Sequence, residues 1–448
     1  MRTGLALCVL ALVLGATASS AAVSNVPSFA ATKRYALANA NGCDRCAVGT
    51  AIGDLNGDGR PDVVTVSGDD SLAVFITKAD GTFSTRRDYL TAGDAADAVI
   101  ADLNGDGHPD VAVAEADGFV STFMNQGDGT VATRRDYAGG SEGSGPFSIA
   151  AGDLDGNGSA DLVAANGSAS ISVLRNNGDG TFAAQRDYRL TGAGAVSLAL
   201  GDLNRDGRPD VVTGAVSVLL NNGDGTFAER DYNTPDARSI ALGDLNGDGK
   251  LDVAASNAYR GVSVRLNTGN GGLGRARVYA VLPSWSYGLS DGEPQSVAIA
   301  DLNGDRKPDL ATVNDDRRVS VLVNAGGGGF RSPIDVGIAK CGEFYESARA
   351  LSTVDLNGDR RADLIAVGSA GLCVSLGKPG LCNVQDVRGR TLSVAKGLLV
   401  RGHCRPGAVR YAHEKFVKRG LVTAERPDFG RVLRAGAKVA LVVSLGRP

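Results

Sequence analysis

Histidine is nearly absent. The 448-residue chain has three, His108, His403 and His413, together with a single tryptophan and an aromatic content of 5%. Catalysis needs an acid, a base or a nucleophile in mutual reach. Three scattered histidines supply no such set, and no Ser-His-Asp triad or carboxylate pair stands apart from the acidic loops described below. No apolar run reaches the roughly 20 residues of a membrane helix, so no membrane span is expected. Glycine, by contrast, is abundant at 62 residues, nearly twice an average share. With 43% hydrophobic residues, this points to a folded chain with a large core and many tight turns.

Charge is unevenly spread. Residues 380–448 carry 14 Lys and Arg against four acidic residues, a net of +10, which leaves residues 1–379 at −14 within the overall −4. An acidic body is followed by a basic tail. The first 22 residues have Arg2, an apolar run from Leu5 to Leu14 and small residues from Ala16 to Ala22, the pattern of a secretory signal peptide. The expected location is therefore secreted or extracellular. Removing that segment leaves six cysteines, Cys43, Cys46, Cys341, Cys373, Cys382 and Cys404, and an even number in an exported chain favours disulfides.

The sequence DLNGDGRPD from Asp54 recurs in related form at Asp102, Asp153, Asp202, Asp244, Asp301 and Asp355, at spacings of 42 to 57 residues. A period near 50 signals a propeller or solenoid. Each copy sits among four short β-branched runs, the content of one propeller blade, and no window has the period or length of a helix. The seventh copy lacks a final strand, while an orphan strand, SFAATKRYALA from Ser28, precedes the first. The expectation is an all-β, seven-bladed β-propeller over residues 23–379 whose last blade is completed by the N-terminal strand, leaving no open edge.

Within each nine-residue loop, Asp at position 1, Asn or Asp at 3, Asp or Asn at 5 and Asp at 9 converge as the turn curls, and position 7 offers a carbonyl. Hard oxygen donors at this spacing suit Ca2+, which accepts six to eight oxygens in flexible geometry. The expected ligands are Asp54, Asn56, Asp58 and Asp62; Asp102, Asn104, Asp106 and Asp110; Asp153, Asp155, Asn157 and Asp161; Asp202, Asn204, Asp206 and Asp210; Asp244, Asn246, Asp248 and Asp252; Asp301, Asn303, Asp305 and Asp309; and Asp355, Asn357, Asp359 and Asp363. Up to seven structural calcium ions follow. An EF-hand is excluded because no Glu stands at position 12 and a strand follows instead of a helix. Ordinary hairpin turns would explain one such loop, but not seven copies in one register. Arg306 and Arg360 replace the position-6 glycine in the last two loops, which are expected to bind most weakly.

On these loops and this repeat the chain resembles the FG-GAP and VCBS-type repeat proteins, whose best-known relatives are the integrin α-subunit propellers. The resemblance covers about residues 28–379 and implies a calcium-binding propeller serving as an adhesion or recognition scaffold. From Cys382 the texture changes to a helix-like stretch, Thr391 to Arg401, and then strand, turn, strand. The positions Val384, Val387, Gly389, Leu392, Ala395, Leu399, Gly420, Val422, Pro427, Gly430, Gly436, Val439, Val443, Ser444 and Gly446 resemble a PASTA module, a small α+β domain of bacterial cell-wall proteins. Its excess positive charge favours an anionic polymer surface. Nucleic acid is not expected, since stacking needs interleaved aromatics and the tail has only Tyr411, Phe416 and Phe429.

On the face opposite the acidic loops, Trp285, Tyr287, Phe344 and Tyr345 fall on long connections, and Tyr259 and Arg260 on a nearby turn. Exposed aromatics there suit sugar or protein contact, though packing of the loops is the plainer role. The same topology favours the pairings Cys341–Cys373, Cys43–Cys46 and Cys382–Cys404, with a four-cysteine zinc site as the alternative. The functional expectation is a non-enzymatic binding scaffold at the cell wall, taking a wall polymer, glycan or protein. The alternatives are a lectin-like propeller and a polysaccharide lyase or hydrolase.

Overall fold

The computed structural model describes residues 27–37 and 49–447, except for 85, 141–144, 168, 193–195, 215, 225, 233–236, 258–260, 282–292, 315–317, 337–347, 369–370, 379–381, 384–386, 402–404, 415–416, 428–431 and 434–437. The chain divides into two compact units, the larger spanning Val26–Cys382 with Val432–Ala437, and the smaller including Asn383–Arg431 and Lys438–Pro448.

The larger unit contains seven four-stranded antiparallel sheets among its described residues. In sheet one, Gly49–Gly53, Asp62–Ser67, Ser71–Phe75 and Arg87–Leu90 lie side by side in chain order. The next five sheets repeat that order. Each second strand begins with the last Asp of an acidic loop and is buried along its length where six residues long, as in Asp110–Glu115 and Asp309–Asn314. Continuous burial requires Val, Leu, Ile and Ala on both faces, which is what these strands carry. Each fourth strand is the most exposed, and reads RDY or a relative of it.

Sheet seven consists of Ala348–Val354, Asp363–Gly368, Gly371–Ser375 and, as its fourth strand, Lys33–Tyr35 from the other end of the unit. Arg34 pairs with Cys373 and Tyr35 with Leu372. Ser28–Phe29 pairs in addition with Gly377–Lys378.

Apolar cores lie between successive sheets, not within them. Leu103, Ile149 and Phe182 join sheets two and three, and Leu203, Ile240 and Leu273 join four and five. Phe75 and Phe83 of sheet one pack with Leu356, Ile365 and Leu372 of sheet seven. Tyrosines of the fourth strands reach across these boundaries: Tyr137 meets Phe182 at 5.3 Å, Tyr279 meets Phe330 at 5.3 Å and Tyr35 meets Phe83 at 4.8 Å between ring centroids. Tyr35 thus makes the same contact as the tyrosines of the regular fourth strands.

The smaller unit has one helix, Leu392–Arg401, and a sheet in which Lys438–Ser444 lies between Arg405–Ala412, parallel to it, and Val422–Arg426, antiparallel. Ala395 and Leu399 of the helix are buried, as are Val387, Val422, Val439, Leu441 and Val443. The helix and the last two strands match the sequence reading. Arg405–Ala412 was not anticipated, because Pro406, Gly407 and two arginines mask its strand character.

Candidate metal loops and the opposite face

Each acidic loop connects the first strand of a sheet to its second. Its ninth residue, always Asp, is fully buried in all seven copies and clamps the loop at two points. In the first copy, Asp62 Oδ2 accepts the Leu55 amide at 3.0 Å, and Oδ1 accepts the amide of Thr77, beyond the third strand, at 2.7 Å. Asp110, Asp161, Asp210, Asp252, Asp309 and Asp363 do the same. Desolvation pushes these carboxyls up, Asp309 to about 7 and Asp62 and Asp363 to about 6; the carboxylates at positions 5 and 1 push the same way, against the two amide donors.

Position 1 is held by the loop's own backbone. Asp102 Oδ1 accepts the Gly105 amide at 2.7 Å and Oδ2 that of Gly107 at 2.9 Å, with Gly105 at φ 75° and Gly107 at φ 84°. Positive φ is open to glycine. Where Arg replaces it the backbone keeps the conformation: Arg306 lies at φ 66°, Arg360 at 67° and Arg205, at position 4 of the fourth loop, at 64°.

The donor set fits a hard cation: clustered carboxylate and amide oxygens, with a buried Asp beside like charges. Loop three fits it most directly. There carboxylate oxygens of Asp153, Asp155 and Asp161 lie within 4.8 Å of one another, the one such group of three among the described residues. Five of the other loops have a cation at position 7 that pairs with the position-5 Asp: Arg60 with Asp58 at 2.6 Å, Lys250 with Asp248 at 2.7 Å, Arg361 with Asp359 at 3.2 Å, and Arg208 with Asp206 and Lys307 with Asp305 at 3.9 Å. The hydrogen bond from Lys250 pulls Asp248 down to about 2. Loop three has Ser159 there, and its Asp155 faces Arg175 only at 4.0 Å. His108, the sixth position-7 residue, lies against Gly127, where an added Cβ would stand 2.8 Å from the ring.

At the other end of the first strands lies a cavity of about 250 Å3 lined by residues of all seven sheets. It holds a set of contacts that the sequence reading missed. In five sheets the residue five before the loop's first Asp accepts a backbone amide from the next sheet: Asp97 from Ile149 at 3.2 Å, Ser148 from Leu198 at 3.3 Å, Ser197 from Ile240 at 3.3 Å, Ser239 from Val297 at 3.3 Å and Ser296 from Leu351 at 3.2 Å. Sheets seven and one have Ala350 and Gly49 at this position. There the hydroxyls of Thr50 and Ser352 meet at 2.7 Å.

Of the residues expected on this face, Tyr259, Arg260, Trp285, Tyr287, Phe344 and Tyr345 all lie outside the described residues, as do the signal peptide, Cys43, Cys46, Cys341 and Cys404. Cys373 is buried between sheets six and seven. No described helix is long and apolar enough to cross a membrane.

The model of the FG-GAP-like repeat matches this chain six times, at residues 54–113, 102–164, 153–213, 213–255, 244–312 and 301–366. No curated protein sequence matches it. Among solved structures, it is similar to an Agrocybe aegerita lectin described as specifically recognising non-reducing terminal N-acetylglucosamine. The identity is 24%, over 66% of this chain and 81% of the lectin, with a TM-score of 0.50. It is also similar to BBS1N, solved in complex with ARL6DN, at 14% identity over 78% of this chain and 96% of that one, with a TM-score of 0.51. Both likenesses are of fold.

Proposed function

The chain belongs to the FG-GAP-like repeat family, and from that premise we propose that it is a closed seven-bladed β-propeller, stabilised by calcium, that serves as an extracellular binding scaffold. The observation that carries this reading is the sevenfold acidic loop, with a buried Asp that clamps two strands while other carboxylates crowd it. Without a cation that arrangement opposes its own charges; Ca2+ held by the side chains at positions 1, 3, 5 and 9 would neutralise them, and binding would then be coupled to folding. Closure is supported by Lys33–Tyr35 in sheet seven and by the apolar core shared by sheets seven and one. The scarcity of histidine favours binding over catalysis.

The test is a thermal melt of the full chain with calcium, with a chelator, and with the chelator plus excess Mg2+. A strong fall in melting temperature on chelation, little restored by Mg2+, is expected; a melt indifferent to chelation overturns the calcium reading. The basic tail, on this reading a PASTA-like module, would hold the protein to an anionic wall polymer. Binding of the full chain to isolated bacterial walls should then fall steeply with salt, and salt-independent retention would exclude that attachment.

The fold likeness to a lectin favours one second reading, glycan recognition. A glycan array probed with the calcium-loaded protein decides it.

A further inference from the structure

The cavity at the far end of the first strands is short of hydrogen-bond acceptors on one side. Ser197, Ser239 and Ser296, in three successive sheets, each spend the oxygen on a neighbouring backbone amide. None of their hydroxyl protons has an acceptor among the described residues. Ser148 differs, since it donates to Asp97 at 2.9 Å.

The same side carries two guanidinium groups. Arg238 is fixed by Glu293 at 2.8 Å and Gln295 at 2.6 Å, which hold two of its five N–H donors. Arg349 lines the cavity, is exposed, and has no carboxylate partner among the described residues. Phe147 also lines the cavity and is 44% exposed, leaving apolar surface open there.

Among the described residues, three hydroxyls without an acceptor beside a fixed arginine and one without a carboxylate partner make a site rich in donors. A neutral ligand leaves Arg349 without a counter-charge, whereas a planar carboxylate matches a guanidinium bidentately and takes the hydroxyl protons as well. A volume of about 250 Å3 holds one sugar-sized unit, and Phe147 gives a sugar ring an apolar surface.

We propose that this cavity, on the side of Ser197, Ser239, Ser296, Arg238 and Arg349, binds a carboxylate, carried either by a uronic-acid sugar or by a small free acid. The proposal deepens the reading of the protein as a binding scaffold and rests on it.

The experiment is calorimetric titration of the full, calcium-loaded chain with glucuronate, acetate and glucose, alongside the glycan array. Binding of glucuronate and not glucose is expected. Equal binding of acetate identifies a free acid as the source; a preference for glucuronate identifies the sugar. Arg349→Gln, at an exposed position, should weaken the bound acid about tenfold or more, the scale of one charge-assisted hydrogen bond, with Arg349→Lys restoring part of it. Equal affinity of the wild type and Arg349→Gln, or equal binding of glucose, overturns the proposal. If neither acid binds but the array shows another ligand, this site is wrong and the scaffold reading stands; if the array is also blank, both fall.

Discussion

Asn176 donates its side-chain amide to the Leu103 carbonyl of the preceding sheet, 73 residues away, at 2.7 Å. The same amide reaches the Ala160 carbonyl at 2.8 Å, and its oxygen takes the Gly178 amide at 2.8 Å. One buried side chain thus ties a loop, its own sheet and the sheet before it. Asn125, Asn221, Asn267 and Asn324 repeat the contact to Leu55, Leu154, Leu203 and Leu245. Asn176→Ala leaves buried backbone groups unpaired, at a cost of about 3 kcal/mol. Chemical denaturation is expected to show that loss with little change in the denaturant slope; a loss under about 0.5 kcal/mol, the range of an ordinary surface substitution, would refute the tie.

At the junction of sheets seven and one both stitches are missing. Thr77 stands where the asparagine would reach back to sheet seven, and Ala350 replaces the inner hydroxyl that would accept from sheet one, whereas Gly377 and Gly49 leave the six–seven and one–two junctions each short of one stitch. What remains is the Thr50–Ser352 contact, the shared apolar core and the strand with Tyr35. Tyr35→Ala removes the ring packed at 4.8 Å on Phe83 and should destabilise by about 3 kcal/mol. In hydrogen exchange, amides of Gly371–Ser375 should then open ahead of those in Ser170–Leu174. Uniform exchange in the two strands would show that the N-terminal strand does not hold this junction.

The repeats, their strands and the orphan strand were legible because Asp and Gly recur in a fixed register that only a tight, acid-lined turn requires. The two interlocking sets were equally present in the repeats but went unread. Asn125, Asn176 and Asn221 lie in or beside stretches such as NNGDG, which satisfy the requirements of a hairpin turn without any partner from another sheet. The series Asp97, Ser148, Ser197, Ser239 and Ser296 falls on first strands or, for Ser197, just before one, where period-2 alternation tells which side chains share a face and not that the face borders a common cavity. Arg205 was overlooked because position 4 was not recognised as a positive-φ site. The aromatic face lies outside the described residues.

Glu115 ends the second strand of sheet two, fully buried, with Oε1 accepting the Ala92 amide at 3.0 Å and Oε2 without a hydrogen-bond partner among the described residues. Desolvation raises its pKa. The folded protein therefore holds this proton more tightly than the unfolded chain, whose glutamate titrates near 4.3. Stability from this group is greatest below that value, falls as pH rises through the raised folded-state pKa, and stays low above it. Glu115→Gln keeps the acceptor and removes the charge. In calcium-saturated melts its advantage over the wild type should grow from pH 4.5 to pH 8. An advantage that does not change with pH would show that the charge is not the cause.

Calcium affinity should differ among the loops in an order set by backbone and charge. Loop three has three converging carboxylates and no cation at position 7, so it should fill first. Loops six and seven hold Arg306 and Arg360 at positive φ, a conformation that costs a non-glycine residue about 1 to 2 kcal/mol. Their position-5 carboxylates must also leave Lys307 and Arg361 to face a metal. These loops should fill last, weaker by about tenfold on the backbone cost alone. Loop four shares the strain through Arg205, but there the guanidinium bonds to the Asp248 carbonyl of the next loop at 3.2 Å, which offsets part of it. Arg306→Gly and Arg360→Gly should each tighten a late step of a calcium titration and raise the melting temperature at limiting calcium, whereas Arg205→Gly should do less. Asp155→Asn should remove the earliest step. Seven equal sites, or an unchanged early step in Asp155→Asn, would show that carboxylate convergence does not set the order.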